Sequence, residues 1–240
     1  MTRPPARRPS AQGLYDPSQE HDACGVGFVV NIKGVRSHKL VEQAFEVAVN
    51  LLHRGACGCE RNTGDGAGLL LQVPDKFLRR ETAALGFRLP PAGEYGVGML
   101  FLPRPANEQI RVEERVVRIV LEEGQHVLGW REVPTDDSAL GETARQGEPA
   151  IRQVFIGRGA DFGDGPDARA RFERKLYVVR KRIAREVNEL GLEEADLFYI
   201  ASLSSQTIVY KGMLIADQVK DYFPDMVDER FESAIALVHS

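Results

Sequence analysis

The chain divides at Cys24. Ahead of it lie Arg3, Arg7 and Arg8 interleaved with Pro4, Pro5 and Pro9, then Pro17, with no apolar periodicity. Proline offers no backbone donor, and so polar a stretch buries too little surface to offset the entropy of ordering it. From Cys24 the sequence turns apolar, Cys24-Gly25-Val26-Gly27-Phe28-Val29-Val30, as a buried strand requires. A core built by this chain therefore starts at Cys24, and 1–23 is expected to be a propeptide or disordered leader. With the leader removed, Cys24 would carry a free α-amine beside its thiol. These groups titrate near about 7.7–8.0 and about 8.5, so one residue would hold both base and nucleophile. The plainer role is a buried structural cysteine, since free cysteine is among the most buried residue types. Gly25 and Gly27 weigh toward chemistry, because they let a substrate or backbone approach.

Composition narrows the class. The 240 residues are 43% hydrophobic and 28% charged, ordinary for a water-soluble globular chain. A net charge of -4 argues against a nucleic-acid surface. No apolar run is long enough to cross a bilayer, and the basic N-terminus lacks the apolar core of a secretory signal. Three cysteines are too few, and odd in number, for a disulfide framework, which points to a reducing, cytoplasmic setting.

Periodicity predicts strands over 25–32, 68–73, 95–102, 126–133, 151–157, 198–203, 207–213 and 231–240. Helices are expected over 39–53, 75–85, 107–123, 167–190 and 215–222. Helix 107–123 carries Ile110, Val116, Val117, Val120 and Leu121. The charges of helix 167–190 are expected to form a solvated face, and 135–147 an exposed polar connection. Strands that return without regular helical crossovers favour an α+β design over a doubly wound sheet. Without repeats or an obvious linker, one domain is the simplest organisation. The closing strand stops without a turn or tail, so the chain is expected to be part of a longer protein.

Between 53 and 68 the sequence is polar and glycine-rich, and several roles are open to it. His53, Cys57 and Cys59 could bind zinc, although they supply only three ligands at an unusual spacing. Gly64, Gly66 and Gly68 could cradle a phosphate, but no Lys-Ser/Thr follows. A tight structural loop, or a wall facing Cys24, are the other two.

Five segments point further. Cys24-Gly25-Val26-Gly27-Phe28, His53-Arg54-Gly55-Ala56 and Thr63-Gly64-Asp65-Gly66-Ala67-Gly68 are followed in order by the segment 202–213 and by Leu237-Val238-His239-Ser240. Over 24–240 this set resembles the class II glutamine amidotransferase domain that opens the large subunit of glutamate synthase. The resemblance implies a four-layer αββα sandwich of the N-terminal-nucleophile hydrolase type, with two antiparallel sheets between helices. It implies Cys24 as the nucleophile toward glutamine, and Arg54, Gly55, Thr63, Gly64 and Asp65 as a substrate-pocket loop, with no metal. It also implies remaining synthase domains that use the ammonia on 2-oxoglutarate, a small electron-transfer subunit, and FMN and an iron–sulfur cluster outside this chain. The family pattern continues past Ser240 with an arginine for the substrate carboxylate, an Asn-Gly oxyanion hole and an aspartate for the substrate amine. The domain is thus expected to be incomplete at its C-terminus, and the isolated chain a weak or inactive glutaminase that folds poorly. The Cys57/Cys59 pair departs from the family pattern. The alternatives are another class II amidotransferase, a non-catalytic fragment, or a metal-binding module on His53, Cys57 and Cys59. The loop Thr63-Gly64-Asp65-Gly66 favours glutamate synthase.

Overall fold

The computed structural model describes Gln12, Gly13, Asp16, 25–54, Glu60, 62–163 and 166–240, with Arg54, Asp161 and Pro166 as backbone only. Its first strand, β1 (Val26–Val30), leads through α1 (His38–Asn50) to β2 (Ala67–Gln72) and α2 (Asp75–Ala84). Next come β3 (Tyr95–Leu102), α3 (Ala106–Glu122), β4 (His126–Glu132), α4 (Glu142–Gln146) and β5 (Ala150–Gly157). Last are α5 (Pro166–Asn188), β6 (Tyr199–Ser204), β7 (Thr207–Gly212), α6 (Gln218–Tyr222) and β8 (Ile235–His239). The strands form two four-stranded sheets of order β1-β8-β2-β7 and β4-β5-β3-β6, antiparallel throughout. With helices packed on both, the architecture is an α+β sandwich.

Each helix earns its place by an apolar stripe and a defined start. Ser37 caps α1, its hydroxyl accepting from Leu40 N at 3.4 Å, and Leu40, Val41, Ala44, Phe45 and Ala48 are buried. They join Leu69, Leu71 and Tyr210 of the first sheet and Val97, Met99 and Phe155 of the second in one continuous core. A second core fills the space between the second sheet and the pair α3 and α5, through Leu100, Val116, Ile119, Phe172 and Leu176.

Three expectations are corrected. β1 is only half buried: Phe28 is 68% exposed and Val26 and Val30 are exposed with it, because an edge strand covered by α1 on one face leaves the other to solvent. The connection 135–147 holds the short helix α4, with Leu140 and Ala144 buried in the main core, so it is not simply an exposed loop. One flank of α5 is paired rather than solvated. Glu123 accepts from Lys175 at 2.7 Å and from Arg182 at 2.9 Å, and Arg118 reaches Glu186 at 2.9 Å. These bonds to Lys175 and Arg182 hold the Glu123 carboxyl below its ordinary range.

A buried ion pair ties both sheets together. Arg131 of β4 donates to both carboxylate oxygens of Asp225, at 2.7 and 2.6 Å, and stacks over Phe77 of α2. Asp225 also accepts from the Tyr210 hydroxyl of β7 at 2.9 Å. Asp225→Ala, which strands the Arg131 charge, should cost about 3–5 kcal/mol of stability. The pair Arg131→Met with Asp225→Ala should cost less than that single change. Urea unfolding followed by the fluorescence of Trp130, the chain's one tryptophan, reads both.

Candidate functional site

The register of the first sheet gathers segments that lie far apart in sequence. Val26, His239, Gly68 and Lys211 form one cross-strand row through β1, β8, β2 and β7. One residue further, Gly25 N donates to Ser240 O at 2.6 Å and Ser240 N to Gly25 O at 2.8 Å. The residue after Cys24, the end of the 63–68 loop, the 211–213 segment and His239-Ser240 therefore share one end of one sheet.

Cys24, Gly55, Cys57 and Cys59 lie outside the described residues. Arg54 ends a single 3-10 turn (Leu52–Arg54). In that turn His53 is exposed, with Nδ1 2.9 Å from the Asn50 carbonyl. Thr63, Gly64 and Asp65 are brought to the gathered end of the sheet. Thr63 is buried, and its Oγ1 donates to Glu60 Oε2 at 2.7 Å, while Thr143 N donates to the same oxygen at 3.3 Å. These bonds, the one from Thr63 foremost, hold the Glu60 carboxyl below its ordinary value of 4.5. Gly64 crosses the chain that follows β7 so closely that a Cβ would lie 2.3 Å from Leu214 O and 2.7 Å from Ile215 N. Gly66 takes φ +138°, a region side chains rarely adopt.

Beside this loop opens a cleft of about 660 Å³. Asp65, Gly66, His239, Lys211, Glu148 and Tyr199 all line it. Lys211 Nζ sits 4.1 Å over the Tyr199 ring, and the Tyr222 hydroxyl donates to Glu148 at 2.7 Å. Burial and then Glu148 push the Tyr222 phenol well above its usual range, so it remains a donor. Charges of both signs at the rim of an apolar floor that includes Leu70 and Ile151 suit a small polar ligand carrying both signs.

Sequence patterns do not reveal what holds the loop. Gln218 is buried; its amide donates to Asn62 O at 3.0 Å and Ala139 O at 2.9 Å and accepts from Ile215 N at 3.0 Å. Two of those partners are 156 and 79 residues away, beyond any local signal. Gly141 approaches Thr63 Oγ1 so closely that a Cβ there would stand 2.1 Å away. Only Glu60 had a local cue, three residues before a threonine.

Two outcomes follow. Gly64→Ala should destabilise the loop by about 1–3 kcal/mol, because its neighbours are backbone and cannot swing aside. Gly147→Ala, whose nearest neighbours would be 3.7 Å away, should be tolerated; limited proteolysis across 54–66 distinguishes the two. A folded-state pKa lowered from 4.5 contributes stability above that value and loses it as pH falls through the depressed one. Cleavage of this loop should therefore rise on acidification below 4.5 in the native chain, and be less pH-sensitive in Glu60→Gln.

Residues 24–240 match the family model of the glutamine amidotransferases class-II. The chain is 47% identical over 232 residues to the NADPH glutamate synthase large chain of Bacillus subtilis, covering 97% of this chain and 15% of that protein. To the NADPH glutamate synthase large chain of Azospirillum brasilense it is 38% identical over 226 residues, 94% of this chain and 14% of the relative. A ferredoxin-dependent glutamate synthase of Pyropia yezoensis is 34% identical over 235 residues, 98% of this chain and 15% of the relative. The chain thus spans about 15% of the length of these relatives.

Proposed function

Because the chain belongs to the class-II glutamine amidotransferases, we propose that it is the glutamine-hydrolysing domain of a glutamate synthase, with Cys24 as its nucleophile. In this proposal 24–240 is the amidotransferase domain, continued in the longer protein, and 1–23 is removed as a propeptide. The observation that supports it is the pairing of Gly25 with Ser240, at 2.6 and 2.8 Å. That pairing brings the backbone next to Cys24 to the sheet end where Asp65 and His239 line the cleft, with Thr63 and Gly64 just ahead of Asp65 in the same loop; Arg54 and Gly55 are proposed to complete that loop.

The chemistry then follows from the residue types. The Cys24 amine takes the thiol proton, and the thiolate attacks the side-chain amide carbon of glutamine. The carbon–nitrogen bond breaks as the amine returns its proton to the leaving nitrogen, releasing ammonia and leaving a thioester. Water adds to the thioester carbon, the carbon–sulfur bond breaks, and glutamate departs with the thiol restored. The arginine, Asn-Gly pair and aspartate implied by the family resemblance are not among residues 1–240. Loss of a single oxyanion-hole donor costs about 10²–10³ in kcat, so this chain alone should form the covalent adduct far better than it turns over.

In the longer protein the ammonia would pass to 2-oxoglutarate in the remaining synthase domains, supplied with electrons by a small partner subunit. In this proposal FMN and an iron–sulfur cluster belong to those domains, as the family resemblance implies. A reducing, cytoplasmic compartment would keep Cys24 a thiol. Among the described residues, no helix is long and apolar enough to cross a membrane.

The test is intact mass followed by labelling with a glutamine-mimicking diazoketone. Expected are a chain lacking 1–23, a single adduct on Cys24, protection by excess glutamine, and no adduct in Cys24→Ala. An unprocessed chain left unlabelled at Cys24, or an adduct on Cys57 or Cys59 instead, would overturn the assignment.

A further inference from the structure

β7 is an edge of the first sheet and β6 an edge of the second, and the turn Ser205-Gln206 joins them. Each pairs on one side only, β6 with β3 and β7 with β2, and no ladder links the two. The outward amides of an edge strand need other partners, and here side chains of β6 supply them. Thr207 N donates to Ser204 Oγ at 3.2 Å, and Val209 N to Ser202 Oγ at 3.1 Å. Next along the strand, Lys211 Nζ lies over the Tyr199 ring. Alternate residues of β7 are thus tied to β6 through side chains.

A bulge makes the three ties possible. The register of β6 with β3 slips at Ala201, since Ser202 pairs with Met99 but Ile200 with Leu100. Leu203 and Ile200, an odd number of residues apart, would face opposite ways in a regular strand, yet both enter the core beside α3 and α5. The same slip brings Tyr199 to the side where Ser202 and Ser204 meet β7. Helix α5 anchors the row: Ser204 Oγ donates to Glu173 at 2.5 Å, and the Ser205 amide and hydroxyl donate to the same carboxylate at 2.9 and 2.6 Å.

What these ties hold is a wall of the cleft. Leu70 and Val209 line both the cleft and a groove on the α5 side, where Glu173, Arg174 and Tyr177 stand. Ser202 is buried and lines the groove but not the cleft. Its hydroxyl nevertheless fixes the backbone of Val209, two residues from Lys211. We propose that Ser202 is a positioning residue for glutamine: by holding Val209 it sets the place of the cleft wall that Val209 and Lys211 form. The inference rests on the glutaminase reading and adds to it a residue that acts from behind the site.

The experiment is diazoketone labelling of Cys24 in the 240-residue chain over a concentration series, with hydrogen exchange of the Val209 amide alongside. In Ser202→Ala the concentration for half-maximal labelling should rise about threefold or more, as loss of one neutral hydrogen bond allows. The maximal labelling rate should stay that of the native chain. The Val209 amide should exchange faster, and Ser202→Thr, which keeps the hydroxyl, should restore both. A purely structural role would lower the melting temperature of Ser202→Ala and leave its half-maximal concentration unchanged, and that result would overturn the proposal. So would a Ser202→Thr chain that behaves like Ser202→Ala. A native chain left unlabelled would instead overturn the glutaminase reading, and this role with it.

Discussion

A guanidinium withdrawn from water stands where most of the fold meets. Burial opposes the charge on Arg131, yet its two hydrogen bonds to Asp225 hold the group above its ordinary pKa range. Glu81 of α2 and Gln153 of β5 accept further bonds from its two terminal nitrogens at 3.2 Å, and Gln153 donates in turn to the Tyr210 oxygen at 3.0 Å. Burial, reinforced by the Asp225 carboxylate, lifts the Tyr210 phenol well above its usual range and keeps its proton in the network. Such a cluster is not an efficient source of stability, since apolar groups of the same shape often do as well. What it supplies is position: β4 and β5 of one sheet, β7 of the other, α2 and the segment after α6 are all fixed to a single point. Tyr210 is one residue from Lys211, so the network also fixes the row of the sheet beside the cleft.

The site rests on two kinds of support. One is the ladder of the first sheet, where antiparallel bonds set Gly25 against Ser240 and Gly68 against both His239 and Lys211. The other is a set of polar clamps, Gln218 and Glu60, that tie the 62–66 loop to the start of α6 and to the segment leading into α4. Ladders are cooperative and buried, whereas clamps are few and partly wet. Mobility needed for a ligand to enter should therefore concentrate in the loop and leave the strands in place.

Much of the strand and helix pattern was legible because it depends on local periodicity. The strand over Tyr95–Leu102 and the helix over Asp75–Ala84 carry their own signals: apolar runs, Pro74 before the first turn and a glycine after the last. Burial was less legible. Phe28 and Leu121 look like core residues, yet whether a second layer covers them is decided by elements remote in sequence. The convergence of Gly25, Thr63–Gly68 and His239-Ser240 became legible only through family resemblance, because strand order leaves no mark in composition. The clamps were not legible at all, since Gln218 is an ordinary polar residue until partners from two other loops surround it.

The pairing of β1 with β8 also orders events during synthesis. These strands are the first and last of the two sheets, and their register joins Val26 to His239 across nearly the whole chain. Contacts of such separation form late, because the entropy of closing the intervening loop must be met before they contribute. As the polypeptide leaves the ribosome, β3, β5 and α3 can collapse on one another while β1, bound only by α1, waits for its partner. The sheet end at Gly25 then stays unassembled until β8 has emerged.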